Sequence, residues 1–172
     1  MKVKISIKNN LKVLTVPFIG TVVIFAPGIL LGSLPVAFIL FAFWIIPIIY
    51  LHLEYYFENK GMEIEFSDDE IVVSQENEDL VIINFADISE VVVYRSRNLD
   101  RGGPQKLSTE SYSFARIITK SKMEITITCL MSPKIDDLVK KLKGAYVIRK
   151  NSLFCTTLWH TVPLEREKHI IP

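Results

Sequence analysis

From Val13 to Tyr50 the chain runs for 38 residues without an Asp, Glu, Lys, Arg or His. One helix of that length would extend about 57 Å, against a hydrocarbon core of roughly 30 Å. The stretch Leu30 to Pro35, LLGSLP, offers a break: Gly32 and Ser33 end a helix readily, and Pro35 suits the first turn of the next. The run therefore predicts two transmembrane spans, Val13–Leu31 and Leu34–Leu53, folded back on each other. Each is close to the ~20 residues that a crossing needs. Neither shows the polar face of a soluble core helix. Pro17 is expected in the first turn of span one, with Pro27 and Pro47 as interior kinks. Tyr50, His52, Tyr55 and Tyr56 mark the exit at the interface. Trp44 falls nearer mid-span, and sequence alone gives it no role.

After Gly61 the period changes from helical to two. Met62, Ile64 and Phe66 alternate with Glu63, Glu65 and Ser67, which predicts a half-buried strand. Further strands are expected at Glu70–Ser74, Leu80–Phe85, Val91–Tyr94, Tyr112–Thr119 and Met123–Leu130. Between them lies a polar loop, Arg95 to Ser111, broken by Gly102, Gly103 and Pro104. One helix is signalled clearly. Ser132 is its expected cap and Pro133 its first residue, while Ile135, Leu138, Val139 and Leu142 form one apolar stripe. Gly144 closes it, and Ala145–Ile148 is expected to pair as a strand with an existing sheet edge. The apolar run Leu153–Trp159 either packs on the domain or lies on the membrane surface. The chain thus divides into an N-terminal segment 1–12, a hairpin 13–56, a β domain 61–150 and a tail 151–172.

Charge adds orientation. Lys2, Lys4, Lys8 and Lys12 precede the first span and the connecting turn carries none, so the positive-inside rule puts both termini in the cytoplasm. Residues 61–94 hold ten acidic and no basic groups, whereas 95–172 hold fifteen basic and seven acidic ones. Two basic groupings are candidate contacts for anionic lipid or a partner. One is Lys140, Lys141, Lys143, Arg149 and Lys150; the other is Arg95, Arg97 and Arg101 in the polar loop, with Lys106. The second could also meet the acidic stretch of another copy of the chain. No nucleic-acid motif is present.

Catalytic signals are missing. No phosphate loop, HExxH, CxxC or GxSxG occurs, and His52, His160 and His169 lack metal-ligand grouping, so no catalytic residue, cofactor or metal is assigned. Cys129 and Cys155 sit among apolar neighbours and read as small hydrophobes. Glu54 and Glu58, four apart, read as a solvated interfacial face, and Tyr94, Tyr112 and Arg116 as a cross-strand polar cluster.

The order of features resembles small bacterial membrane proteins with a pleckstrin-homology-like domain. The resemblance rests on the hairpin, FADIS (Phe85–Ser89) leading into VVVY, the YSFARI and ITITCL strands and the final helix, over roughly residues 11–150. It implies a two-helix transmembrane hairpin, then a mainly β bent sheet or barrel of about seven strands capped by one C-terminal helix. It also implies an inner-membrane protein that binds rather than catalyses. Its partners would be the lipid bilayer and either a membrane-protein partner or a second copy. An accessory subunit of a transport assembly is the alternative, although no ionisable residue lies within 13–50 to carry an ion. Where eukaryotic relatives carry a basic phosphoinositide loop, this chain has Asp68-Asp69-Glu70, so that function does not transfer.

Overall fold

The computed structural model describes residues 1–30, 34–76, 79–102, 107–142, 144–152, 154–157 and 167–170. Gly32, Ser33, Gly103, Pro104, Lys106, Lys143 and His160 lie outside them. Among the described residues the strands form two sheets, and neither closes into a barrel. The first is antiparallel throughout, in the order β1 (Lys2–Lys4), β2 (Met62–Phe66), β3 (Glu70–Gln75) and β4 (Val81–Asn84). Period two holds here: Ile64, Phe66, Ile71, Val73 and Ile83 face the core, while Glu65, Ser74 and Ile82 face out.

The second sheet has the order β7-β6-β5-β8-β9: β7 (Glu124–Thr128), β6 (Phe114–Thr119), β5 (Ile88–Arg95), β8 (Tyr146–Asn151) and β9 (Glu167–Ile170). A single 3₁₀ turn at Phe85–Asp87, within the FADIS motif, leads from the first sheet into β5. The central strand β5 is buried continuously from Val91 to Arg95 because it has neighbours on both edges. β8 joins β5 in parallel and β9 adds antiparallel to β8. The strand expected after the C-terminal helix thus does find an edge, and part of the ambiguous tail supplies one more strand.

The capping helix is shorter than its apolar stripe. The helix, α4, spans only Ile135–Val139, and Lys134 rather than Ser132 precedes it, without a side-chain cap. The reason lies at the end of β7, where the N–H groups of Met131 and Ser132 both donate to the Thr128 carbonyl and wind the chain into a tight turn. The stripe still does what its spacing predicts. Ile135, Leu138, Val139 and Leu142 are buried against Phe66 of the first sheet and Ala115, Ile117 and Ile127 of the second, closing the gap between the sheets.

Two long helices, α1 (Ile7–Leu30) and α2 (Leu34–Asn59), are inserted between β1 and β2, adjacent strands of one sheet. The first residues of the chain are therefore a strand, with Lys2 opposite Glu65 and Lys4 opposite Glu63. The expected transmembrane hairpin is met only in part. The helices pack on each other, but among the described residues only Phe38–Asn59 is a helix long and apolar enough to cross a membrane. α1 also starts six residues earlier than expected, which puts Pro17 in its interior. Trp44 now has a place. Its ring lies on Gly20 of α1 and its indole N–H points at the Pro17 carbonyl, 3.4 Å away. A Cβ on Gly20 would come within 2.6 Å of the Trp44 ring, so only glycine lets the helices approach here.

Candidate functional site

The second half of α2 is built into the β domain. Leu51 and Tyr55 are fully buried, and the Tyr55 hydroxyl donates to the Cys155 carbonyl at 2.6 Å. Asn59, also fully buried, donates to the Thr126 carbonyl at 2.7 Å and accepts from the Thr128 N–H at 3.1 Å. Its side-chain amide thus completes backbone pairing that β7 offers at its free edge. Tyr112, just before β6, sits edge-on to both Tyr55 and His52.

Glu54 corrects the expectation of a solvated acidic face. It is buried and its carboxylate accepts from the Thr156 hydroxyl at 2.8 Å, the Thr157 hydroxyl at 2.6 Å and the Thr157 backbone N–H. Glu58, one turn further on, is exposed as predicted. Residues 154–157 therefore strap α2 to the domain, with Phe154 stacked on Tyr50 and the Thr157 carbonyl accepting from Arg116. No local pattern announces this, because Glu54 and its partners are about a hundred residues apart. Tyr94 stacks on Phe114 with Lys150 near its ring, Arg116 also lies over the Phe114 ring and reaches Thr157 and Glu124, and Tyr112 meets Tyr55 and His52.

The eight basic candidates separate by burial. Arg95 and Arg149 close a ring of alternating charge with two aspartates that sequence reading passed over. Asp100, in α3 (Arg97–Asp100), lies 2.9 Å from Arg95 and 3.2 Å from Arg149; Asp136 of α4 lies 2.5 and 3.1 Å from the same two. This neutral ring pins α3 and α4 to the β5–β8 pair, beside a cavity of about 80 Å³ lined in part by Arg95, Ser113 and Asp136. Lys150 is half-buried on Tyr94. Arg97, Arg101, Lys140 and Lys141 are exposed. Lys143 falls outside the described residues.

The two cysteines are buried and free. Burial pushes the Cys129 thiol up to about 12, and burial with Cys129 nearby does the same to Cys155. Burial also raises the Tyr112 phenol. These groups stay protonated at neutral pH and act as packing atoms, not nucleophiles. No cluster able to hold a metal ion occurs among the described residues.

A model of the PH domain family matches residues 3–138, which takes in most of β1, both long helices, the rest of the first sheet, strands β5 to β7 of the second and most of α4, and stops short of β8 and β9. The chain belongs to that family. PH domains are typically binding modules and not catalysts, so membership implies a binding or scaffolding role in general terms. The match runs through the helical insertion and strands β2 to β7 as one unit, in keeping with the buried joint between helix and sheet. Searches of curated proteins and of solved structures return no significant match.

Proposed function

We propose that this PH-family protein is a non-enzymatic, membrane-anchored binding or scaffold protein. Its helical pair holds the β domain at the cytoplasmic face, where the domain engages a protein partner or an anionic lipid surface. The observation that carries this reading is the surface of the first half of α2. Val36, Phe38, Ile39, Leu40, Phe43 and Ile46 are all exposed there, over more than half of the helix circumference. In water such a patch would drive association, whereas a bilayer covers it without loss of any polar contact. Lys2, Lys4, Lys8 and Lys12 at the base of the hairpin support the cytoplasmic orientation. The exposed cations Arg97, Arg101, Lys140 and Lys141 are the contacts available to a partner or to lipid headgroups.

Carbonate washing of membranes from cells expressing the full chain tests the anchor. The protein is expected to stay in the pellet and to leave only with detergent. A chain that washes off, or that stays soluble and monomeric without detergent, overturns the proposal. A reporter fused after Pro172 is expected to be active in the cytoplasm, and activity on the opposite side overturns the orientation.

A further inference from the structure

The free and docked halves of α2 share one feature that simple anchoring does not require. Phe43, Ile46, Tyr50, Leu53 and Phe57 recur at spacings of three and four, and they are 80, 63, 41, 48 and 66 % exposed. At 3.6 residues per turn they form one apolar stripe, which passes unbroken from the half that stands clear of the domain onto the outer flank of the half docked against it. α1 carries a matching set. Counting outward from the Gly20–Trp44 contact, nine residues lead to Leu11 and Leu53, and thirteen lead to Ile7 and Phe57. Ile7 and Leu11 are 79 and 64 % exposed, with exposed Lys8 and Lys12 beside them.

Length gives the stripe a meaning. The free half, Leu34–Pro47, has fourteen residues and rises about 21 Å, well short of the roughly 30 Å of hydrocarbon. The distance from Leu34 to Leu53 is about 29 Å, and Phe57 lies about 6 Å beyond. The hydrocarbon boundary thus falls at Leu53, inside the docked half. Resting on the membrane reading above, we infer that the helix-bearing flank of the β domain is sunk into an anionic bilayer. Leu53 and Leu11 lie at the acyl boundary, Tyr56, Phe57 and Ile7 in the headgroup layer, and Lys8 and Lys12 reach the lipid phosphates. The polar limit of the embedded flank is set by exposed Glu58 and Lys60. Glu54 tolerates this depth because its carboxylate faces the domain, where Thr156 and Thr157 saturate it.

Nitroxide labels on Phe43→Cys, Leu53→Cys, Phe57→Cys and Lys60→Cys test the depth, in full-length protein reconstituted into vesicles containing phosphatidylglycerol. These positions are exposed, and the native thiols are buried. The ratio of collisions with oxygen to collisions with a water-soluble nickel chelate is expected to fall in that order. At Leu53 it should stand several-fold above Lys60. If Leu53 and Phe57 match Lys60 while Phe43 stays deep, the flank is in water and this inference fails while the anchor stands. If Leu53 and Phe57 are shielded from both reagents, a second protein surface covers the flank and the inference also fails. If Phe43 itself collides freely with the chelate, the anchor fails and this inference with it.

Discussion

The two halves of α2 are both rich in apolar residues and have opposite surroundings. Leu34–Pro47 touches mainly α1 and leaves most of its side chains uncovered, whereas Ile48–Asn59 buries Ile48, Leu51, Tyr55 and Asn59 in the β domain. The change falls at Pro47, whose missing N–H removes one helix hydrogen bond and loosens the ladder there. Hydrophobicity alone therefore does not say what a helix touches. The polar exceptions say more. The free half has no charged or amide side chain, whereas the docked half has His52, Glu54, Glu58 and Asn59; Glu54 and Asn59 are buried where the domain presents donors or acceptors, and Glu58 is exposed.

The largest effect expected from this contrast is between two apolar truncations. Leu51→Ala should lower stability in detergent by about 2–5 kcal/mol, as for other fully buried leucines. Phe43→Ala should stay within about 0.5 kcal/mol, since Phe43 is 80 % exposed. Equal losses in a denaturation series would erase the distinction between the halves.

Two carboxylates one turn apart sharpen it next. Glu54→Ala should destabilise by about 3 kcal/mol, because it strips the acceptor from Thr156 and Thr157. Glu58→Ala should be nearly silent. Comparable melting shifts for both would return Glu54 to the solvated face that its sequence position implies.

Within the free half one contact is expected to be sensitive. Gly20→Ala drives a methyl group into the Trp44 ring, costing about 1–3 kcal/mol and altering Trp44 fluorescence. An unchanged spectrum and stability would mean that the helices do not meet there.

The smallest effect at neutral pH concerns the two buried thiols. Neither Cys129 nor Cys155 should react with a thiol reagent near pH 8 until the protein is denatured. Both thiols have folded values near 12 against an ordinary 9.0. From about pH 9 upward the unfolded chain therefore releases protons that the folded one keeps, so stability should fall between about pH 9 and 12 and be unaffected below. Rapid labelling of the native protein would show that the strap over Tyr55 opens readily.

Much of this architecture is written in one-dimensional patterns. The period-two alternation at Met62–Phe66, the β-forming run Glu70–Ser74 and the uncharged run Val13–Tyr50 each favour one kind of local structure over the others. The stripe Ile135–Leu142 identifies its buried face even though the helix proper is only Ile135–Val139. What sequence did not disclose depends on residues far apart in the chain. β1 becomes a strand only because α1 and α2 return the chain beside it at Glu63–Glu65. Arg95 and Arg149 read as free cations until α3 and α4 bring Asp100 and Asp136 against them. Glu54 looks like any acid at a helix end until Thr156 and Thr157 arrive from the tail. Hydrophobic periodicity is local and survives in any one window. Charge pairing and polar satisfaction are set by which distant partner is within about 3 Å, and only the folded chain decides that.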